Sequence, residues 1–160
     1  MLVPHFGEVV LEADGGAYTR KRVTINGRES DASLFLMHGL SSCSSAAAIK
    51  LLEGLDRLDA NAREFILARH FAGDETVGEY ATFHLEEVHD AIAQKFQVQS
   101  VDAETLLRRL ELRGIGVFPT KDGRTFELVV DYTIDRTFVD GLLAVKHDDT
   151  GRILGVAHES

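Results

Sequence analysis

The stretch LMHGLSSCSSAAAIK, residues 36–50, marks the point where the chain changes from strand to helix. Before it, residues 28–37 alternate between two faces, with Ala32, Leu34 and Leu36 on one of them. This period of two is typical of a strand. After it, apolar residues recur every three or four positions, as on a helix that begins near Ser45: Ala48, Leu51, Leu52, Leu55 and Leu58.

The segment before this change predicts a meander of three strands. Residues 5–12 and 17–25 have strand-like composition, and residues 28–37 form the third strand. Asn26 and Gly27 separate the last two, and Asn-Gly is the strongest short hairpin motif because both positions of a type I′ turn need positive φ.

The middle of the chain predicts four helices. The second runs from about Asn61 to Phe71, and the third from Thr76 to about Phe96, each opening on a capping-box pattern. The fourth extends over residues 102–113, and Gly114 and Gly116 then end it.

The period returns to two near the C-terminus. Strands are expected over residues 126–134, 141–147 and 152–158, and Asp148-Asp-Thr-Gly151 supplies the last turn. The order is therefore βββ–αααα–βββ. We predict a single α+β domain over residues 1–160, with an antiparallel sheet from both ends of the chain and helices packed on one face.

Composition and charge restrict the classes of function that the chain is suited to. The chain has 160 residues, a net charge of −9 and a single cysteine, Cys43. An acidic protein is poorly suited to nucleic acid or to an anionic membrane surface. The lone cysteine fits a reducing compartment. No basic region followed by an apolar run opens the sequence, so we expect no signal peptide and a cytoplasmic location.

The serine-rich turn raises the possibility of nucleophilic catalysis. A hydrolase-like enzyme would use Cys43 or Ser41 with His38 as its base. The motif lacks the second glycine of Gly-x-Ser-x-Gly, and a capping role for Ser44 or Ser45 explains the serines more simply. The sequence therefore favours a protein that is not an enzyme, and we assign no catalytic residue.

The segment HLEEVHD, residues 84–90, raises the possibility of a metal site. His84 and His89 are too far apart around a helix to share an ion. Glu86 and His89 share a face, so a metal-binding protein would use them with a distant histidine such as His70. One Glu-x-x-His is a weak motif, and His84 lies on the predicted buried stripe. We predict neither a bound metal nor a cofactor.

The third helix is acidic on its outer face. No Lys or Arg occurs between Phe71 and Gln94. A solvated helix face is the simple explanation, and a docking surface for a basic protein is the functional one. We predict that the binding residues are the acidic ones on this helix: Glu75, Glu79, Glu86, Glu87 and Asp90.

Both ends of the chain resemble a family of small bacterial proteins known only as a domain of unknown function. The resemblance rests on His5-Phe6-Gly7-Glu8, on LLAVKHDDTGRIL at residues 142–154 and on the closing Glu159-Ser160. The sequence departs from the family pattern at His158, where family members often carry a tryptophan. The resemblance implies an immunity-like protein that neutralises a toxin by binding, and it implies no catalytic residues.

These observations together predict a non-enzymatic protein-binding module, immunity-like or an adaptor, that uses an acidic helix face. Its partner would be a protein, and the acidic helix face favours a basic one. An open sheet also has free edges, which makes a homodimer plausible.

Overall fold

The computed structural model describes residues 1–122, 124–135, 137 and 141–159. Eight strands and four helices occur in this part of the chain. The strands are β1 Leu2–Val3, β2 Gly7–Glu8, β3 Ala17–Ile25, β4 Arg28–Leu36, β5 Glu111–Pro119, β6 Phe126–Thr133, β7 Leu142–His147 and β8 Ile153–Glu159. The helices are α1 Ser42–Leu52, α2 Leu55–Phe71, α3 Glu75–Phe96 and α4 Ala103–Arg108.

Six strands form one mixed sheet in the order β3-β4-β5-β6-β7-β8. Strands from both ends of the chain meet in this sheet and the helices lie between them in sequence, which confirms the α+β class. The pair β4 and β5 is parallel, whereas every other neighbouring pair is antiparallel. The prediction of an antiparallel sheet is therefore corrected at the β4–β5 pair, where the four helices form the crossover that parallel strands require.

The core lies between this sheet and the helices. One face of the sheet supplies a continuous set of fully buried side chains, and the helices bury their apolar stripes against it. The predicted stripe of α3 is confirmed at Val77, Tyr80, Ala81, His84 and Ile92. None of the described helices has both the length and the apolar composition needed to cross a bilayer.

The predicted hairpin at Asn26-Gly27 is confirmed, and the predicted meander is not. Asn26 and Gly27 both have positive φ, and β3 pairs with β4 along its whole length. The preceding segment instead folds on itself, with β1 paired to β2 in a separate sheet. A tight turn causes this, because the Phe6 N–H donates to the Val3 carbonyl and His5 has a φ of 65°.

Helix boundaries also differ from the prediction. The first apolar ladder belongs to two helices, because the chain breaks at Gly54 and α2 begins at Leu55 rather than near Asn61. Helix α4 begins at Ala103, one residue after its predicted start, because Asp102 is its N-cap, and it ends at Arg108 rather than at Arg113. Residues 111–119 form β5, so the glycines expected to end a helix lie inside a strand.

The two C-terminal strands agree with the prediction. β7 and β8 form an antiparallel hairpin. The turn between them is held by the Asp148 carboxylate, which accepts hydrogen bonds from the Thr150 and Arg152 N–H groups at 3.0 Å each. Ser160, the last residue of the C-terminal motif noted above, lies outside the described residues.

Candidate functional site

The connection between α2 and α3 is short and well anchored. Gly73 adopts a φ of 76°, which allows the chain to reverse directly after α2. Asp74 then caps α3, since its Oδ1 accepts a hydrogen bond from the Val77 N–H at 3.1 Å. This bond is the main cause that lowers the pKa of Asp74, and Arg69 contributes through an ion pair. The start of α3 is therefore fixed against the end of α2.

A groove of about 670 Å³ lies along this connection, and we call it the α2–α3 groove. Its volume falls in the range of typical ligand pockets, roughly 300–1,000 Å³. Most of its lining comes from the first half of α3, and the rest comes from His70 of α2 and from the connection between the helices. The lining residues are His70, Gly73, Asp74, Glu75, Gly78, Glu79, Thr82, Phe83 and Glu86.

Three of the predicted binding residues, Glu75, Glu79 and Glu86, line this groove. Their spacing of four and seven residues places them on one side of α3, since an α-helix has 3.6 residues per turn. All three are exposed, and none forms an ion pair within the described part of the chain. The groove therefore presents unneutralised carboxylates, and its lining contains no Lys or Arg.

The other two predicted binding residues, Glu87 and Asp90, are exposed but do not line the groove. Glu87 follows Glu86 and so points about 100° further around the helix. Asp90 comes after Val88, where φ is −137° and the helix is interrupted, and it accepts a hydrogen bond from His89 Nδ1 at 3.1 Å. The acidic residues of α3 therefore divide into a groove set and an outer set.

Sequence reasoning did not identify the uncharged part of the groove. Phe83 is 47% exposed although it is a large aromatic side chain. Gly78 faces open space, since a Cβ built there would contact nothing within 4 Å. The sequence did contain one indication of this surface. Phe83 lies outside the predicted buried stripe of α3, whereas an amphipathic helix normally places its aromatic side chains inward.

The residues of the metal hypothesis are only partly brought together. His70 and Glu86 both line the groove, but His89 does not. His89 Nε2 instead accepts a hydrogen bond from the Val101 N–H at 3.4 Å. No cluster of three metal-ligating side chains occurs among the residues that the structure describes.

His84 is a buried histidine, as its place in the sequence predicts. Its Nδ1–H donates to the Tyr80 carbonyl at 2.6 Å, and burial is the main cause that lowers its pKa.

The serine-rich turn caps a helix, but the capping residue differs from the prediction. Ser41, rather than Ser44 or Ser45, is the N-cap of α1, and its Oγ accepts a hydrogen bond from the Ser44 N–H at 3.0 Å. Ser41 Oγ also lies 2.8 Å from Ser44 Oγ. Cys43 and His38 are exposed, and within the described residues no histidine nitrogen bonds to Ser41. The arrangement that the structure shows here is a helix cap.

Comparisons with protein-family models, curated proteins and solved structures found no match for this chain.

Proposed function

We propose that this chain is a non-enzymatic binding protein whose α2–α3 groove holds a basic segment of a partner protein. The observation that carries the proposal is the coincidence of Glu75, Glu79 and Glu86 with a groove that has an exposed aromatic side chain, Phe83. In this proposal the chain acts as an immunity-like protein or an adaptor, which neutralises or scaffolds its partner by binding rather than altering it. We place this function in the cytoplasm, in keeping with the single cysteine.

Charge supports a basic partner. Three carboxylates that form no ion pair with any described residue produce a negative field along the groove, and such a field steers a positive surface towards it. Exposed ion pairs each contribute only about 0–1 kcal/mol, so charge alone gives specificity and fast association rather than high affinity.

The aromatic side chain supports a protein rather than a small ion. Aromatic residues in a desolvated pocket carry much of the energy of protein interfaces. Phe83 stands beside the carboxylates, where it can pack against the aliphatic stem of a Lys or Arg whose charged end reaches Glu79 or Glu86. A segment that alternates basic and apolar side chains satisfies both features.

The experiment is a pull-down from a lysate of the source organism, with protein bands identified by mass spectrometry. The bait is compared with a groove variant, Glu75→Lys/Glu79→Lys/Glu86→Lys, and with a matched control, Glu87→Lys/Asp90→Lys. The control reverses charge on the same helix outside the groove.

We expect a basic protein that is retained by the original chain and by the control but is lost by the groove variant. Equal retention by the two variants, or an empty pull-down, would contradict the proposal. A second copy of the same chain in the eluate would identify a homodimer as the occupant instead.

A further inference from the structure

The face of the sheet opposite the helices carries a row of side chains that crosses all six strands. Leu34, Val130 and Val145 are fully buried on the helix side, so their neighbours along each strand point to the opposite face. We call this opposite face the outer sheet face. The strand register aligns one residue from each strand, in the order Tyr18, Phe35, Gly116, Val129, Lys146 and Gly155.

The two halves of the outer sheet face differ in side-chain size. On the β3–β4 half, Tyr18 and Phe35 are 62% and 40% exposed although both are aromatic. On the β7–β8 half, Gly155 has no side chain, and a Cβ built there would contact nothing within 4 Å. The first half therefore projects, whereas the second has open space above its edge strand.

The two halves also differ in charge. Arg20 and Arg22 on β3 share one carboxylate, Asp31, at 4.0 and 3.7 Å. The opposite half has three carboxylates and one ammonium, which belong to Glu127, Asp131, Glu159 and Lys146. Asp131 Oδ1 is buried without a hydrogen-bond donor among the described residues, and exposed Glu159 forms no ion pair with any of them. One half therefore has surplus positive charge and the other surplus negative charge.

We infer that the outer sheet face binds a second copy of this chain, about a two-fold axis that runs parallel to the strands between β5 and β6. Such an axis reverses the order of the strands but keeps the level of each row. It places β3 of one copy over β8 of the other, and the same contact occurs twice. Sheets packed face to face lie about 10 Å apart, so side chains from facing rows meet.

This arrangement brings projecting side chains to open positions. Tyr18 of one copy enters the space above Gly155 of the other. Phe35 meets Lys146, whose aliphatic stem packs on the ring and whose ammonium group faces it. Tyrosine and arginine side chains are enriched among the residues that dominate interface energies, and both project from the β3–β4 half.

The same arrangement brings opposite charges together at the edge strands. β3 and β8 run in the same direction, so Arg22, four residues after Tyr18, lies level with Glu159, four residues after Gly155. Packed sheets cross at an angle of about 30°, which shifts the outermost strands relative to each other. The long side chains of Arg22 and Glu159 can span that shift.

The area of the outer sheet face suits a stable dimer. Its longest strands have nine residues and its shortest has six, so the face measures about 25 Å by 25 Å, or roughly 600 Å². Side chains that project from the sheet add to this flat area. A standard interface covers about 800 Å² on each partner, which the whole face can supply.

This dimer is independent of the α2–α3 groove, whose lining includes no residue of the outer sheet face. A second copy bound through the sheet would still be retained by the groove variant Glu75→Lys/Glu79→Lys/Glu86→Lys. A copy bound in the groove would be lost by that variant.

The test is sedimentation velocity of the original chain and of two charge-reversed variants, Arg22→Glu and Glu159→Arg, over a range of protein concentrations. The original chain should form a dimer. Each variant faces like charges twice, so we expect its dimer to dissociate at least about tenfold more readily. A mixture of the two variants should dimerise again, because each contact then joins opposite charges. Lys50→Glu on α1 changes the net charge equally and should leave the dimer intact.

A second pair of variants tests the open space. Gly155→Phe fills the position that Tyr18 enters and should abolish the dimer. Gly78→Phe is the matched control, because Gly78 also faces open space but lies in the α2–α3 groove. Circular dichroism shows whether each variant is folded.

Four results would overturn the inference. The original chain could sediment as a monomer, or the two charge variants could dimerise as it does. The mixture of charge variants could stay monomeric although both are folded. Finally, Gly78→Phe rather than Gly155→Phe could dissociate the dimer, which would place the contact on the helices.

Discussion

The phenol of Tyr132 donates a hydrogen bond of 2.9 Å to Asp59 Oδ1, which connects the middle of the sheet to α2. Asp59 is 1% exposed, and Arg63 Nε donates to both of its oxygens, at 2.9 and 3.0 Å. Asn26 Nδ2 donates to Asp59 Oδ2 at 3.0 Å. A single buried carboxylate therefore joins the hairpin turn, α2 and β6.

Removing this carboxylate should destabilise the fold strongly. Asp59→Ala leaves the guanidinium of Arg63 without its carboxylate partner, and breaking a buried ion pair in this way costs about 3–5 kcal/mol. Tyr132→Phe removes one hydrogen bond to a charged group and should cost about 1–2 kcal/mol. Urea denaturation measures both.

An exposed ion pair provides the control for this prediction. Glu104 and Arg108 are a surface pair on α4, with side chains 43% and 55% exposed. Glu104→Gln should cost less than about 0.5 kcal/mol. An Asp59→Ala variant as stable as Glu104→Gln would show that the buried network does not stabilise the fold.

Asn26 has two separable roles, one in backbone conformation and one in tethering. Its φ of 50° favours Asn or Gly over other residues, and its side chain also donates to the Asp56 carbonyl at 2.7 Å. Asn26→Gly keeps the turn and loses the tether, whereas Asn26→Ala loses both. We expect Asn26→Ala to be less stable than Asn26→Gly by about 1 kcal/mol, measured by thermal denaturation. Equal stabilities would mean that the turn is not strained by alanine.

The hairpin was predictable because Asn-Gly acts locally, whereas the tether and β5 depend on distant residues. Ile115 and Val117 do alternate with Gly114 and Gly116, but the glycines resemble a helix end when their neighbours are unknown. Their place in a strand follows from the close approach of Asp131 and Phe118, which no local pattern encodes. The parallel pairing of β4 and β5 joins segments that are far apart in the sequence, so local patterns could not predict it either.

The start of α1 can be tested with two serines. Ser41→Ala removes the side-chain oxygen that accepts from the Ser44 N–H and should cost about 1 kcal/mol. Ser45→Ala lies inside the helix and should be neutral or slightly stabilising. Chemical denaturation of the two variants side by side distinguishes the positions. A larger loss of stability for Ser45→Ala than for Ser41→Ala would indicate that Ser45, one of the two residues predicted from the sequence, caps the helix.

Asp131 should make stability depend on pH in an unusual direction. Its pKa is about 6 in the folded chain against 3.8 in the unfolded one, so the folded state binds the proton more tightly. The ionised carboxylate therefore destabilises the fold fully above about pH 6, and this penalty falls as the pH drops from about 6 to 3.8 and is gone below 3.8. Asp74 and Asp148 have lowered pKa values and act in the opposite direction, so a variant is needed to isolate the effect.

That variant is Asp131→Asn. Each pKa unit corresponds to about 1.4 kcal/mol, and the amide still leaves a buried oxygen unpartnered, so we expect a net gain of about 1–2 kcal/mol at pH 7.5. The gain should disappear near pH 3.5 in urea titrations at both pH values. Asp31→Asn, which instead loses pairs with Arg20 and Arg22, should show no gain. A loss of stability for Asp131→Asn at pH 7.5 would mean that the carboxylate has a partner.

The acidic residues of α3 could be found from the sequence, but their division into two sets could not. Helical spacing alone separates Glu87 from Glu86 by about 100°, but it does not show which of the two faces a groove. The interruption at Val88 has no marker in the sequence such as a proline or glycine. The groove itself depends on how α2 meets α3, and that packing is set by contacts distant in the chain.

The most direct test of the proposed binding function is calorimetric titration of the purified partner into three proteins at low and high salt. These are the original chain, Glu75→Lys/Glu79→Lys/Glu86→Lys and Glu87→Lys/Asp90→Lys. We predict that the groove variant binds at least about tenfold more weakly at low salt, and that the difference shrinks at high salt as charges are screened. The outer variant should stay within about twofold of the original chain, since peripheral charges contribute little. Equal weakening by both variants, or no weakening by the groove variant, would contradict the assignment of the α2–α3 groove as the binding site.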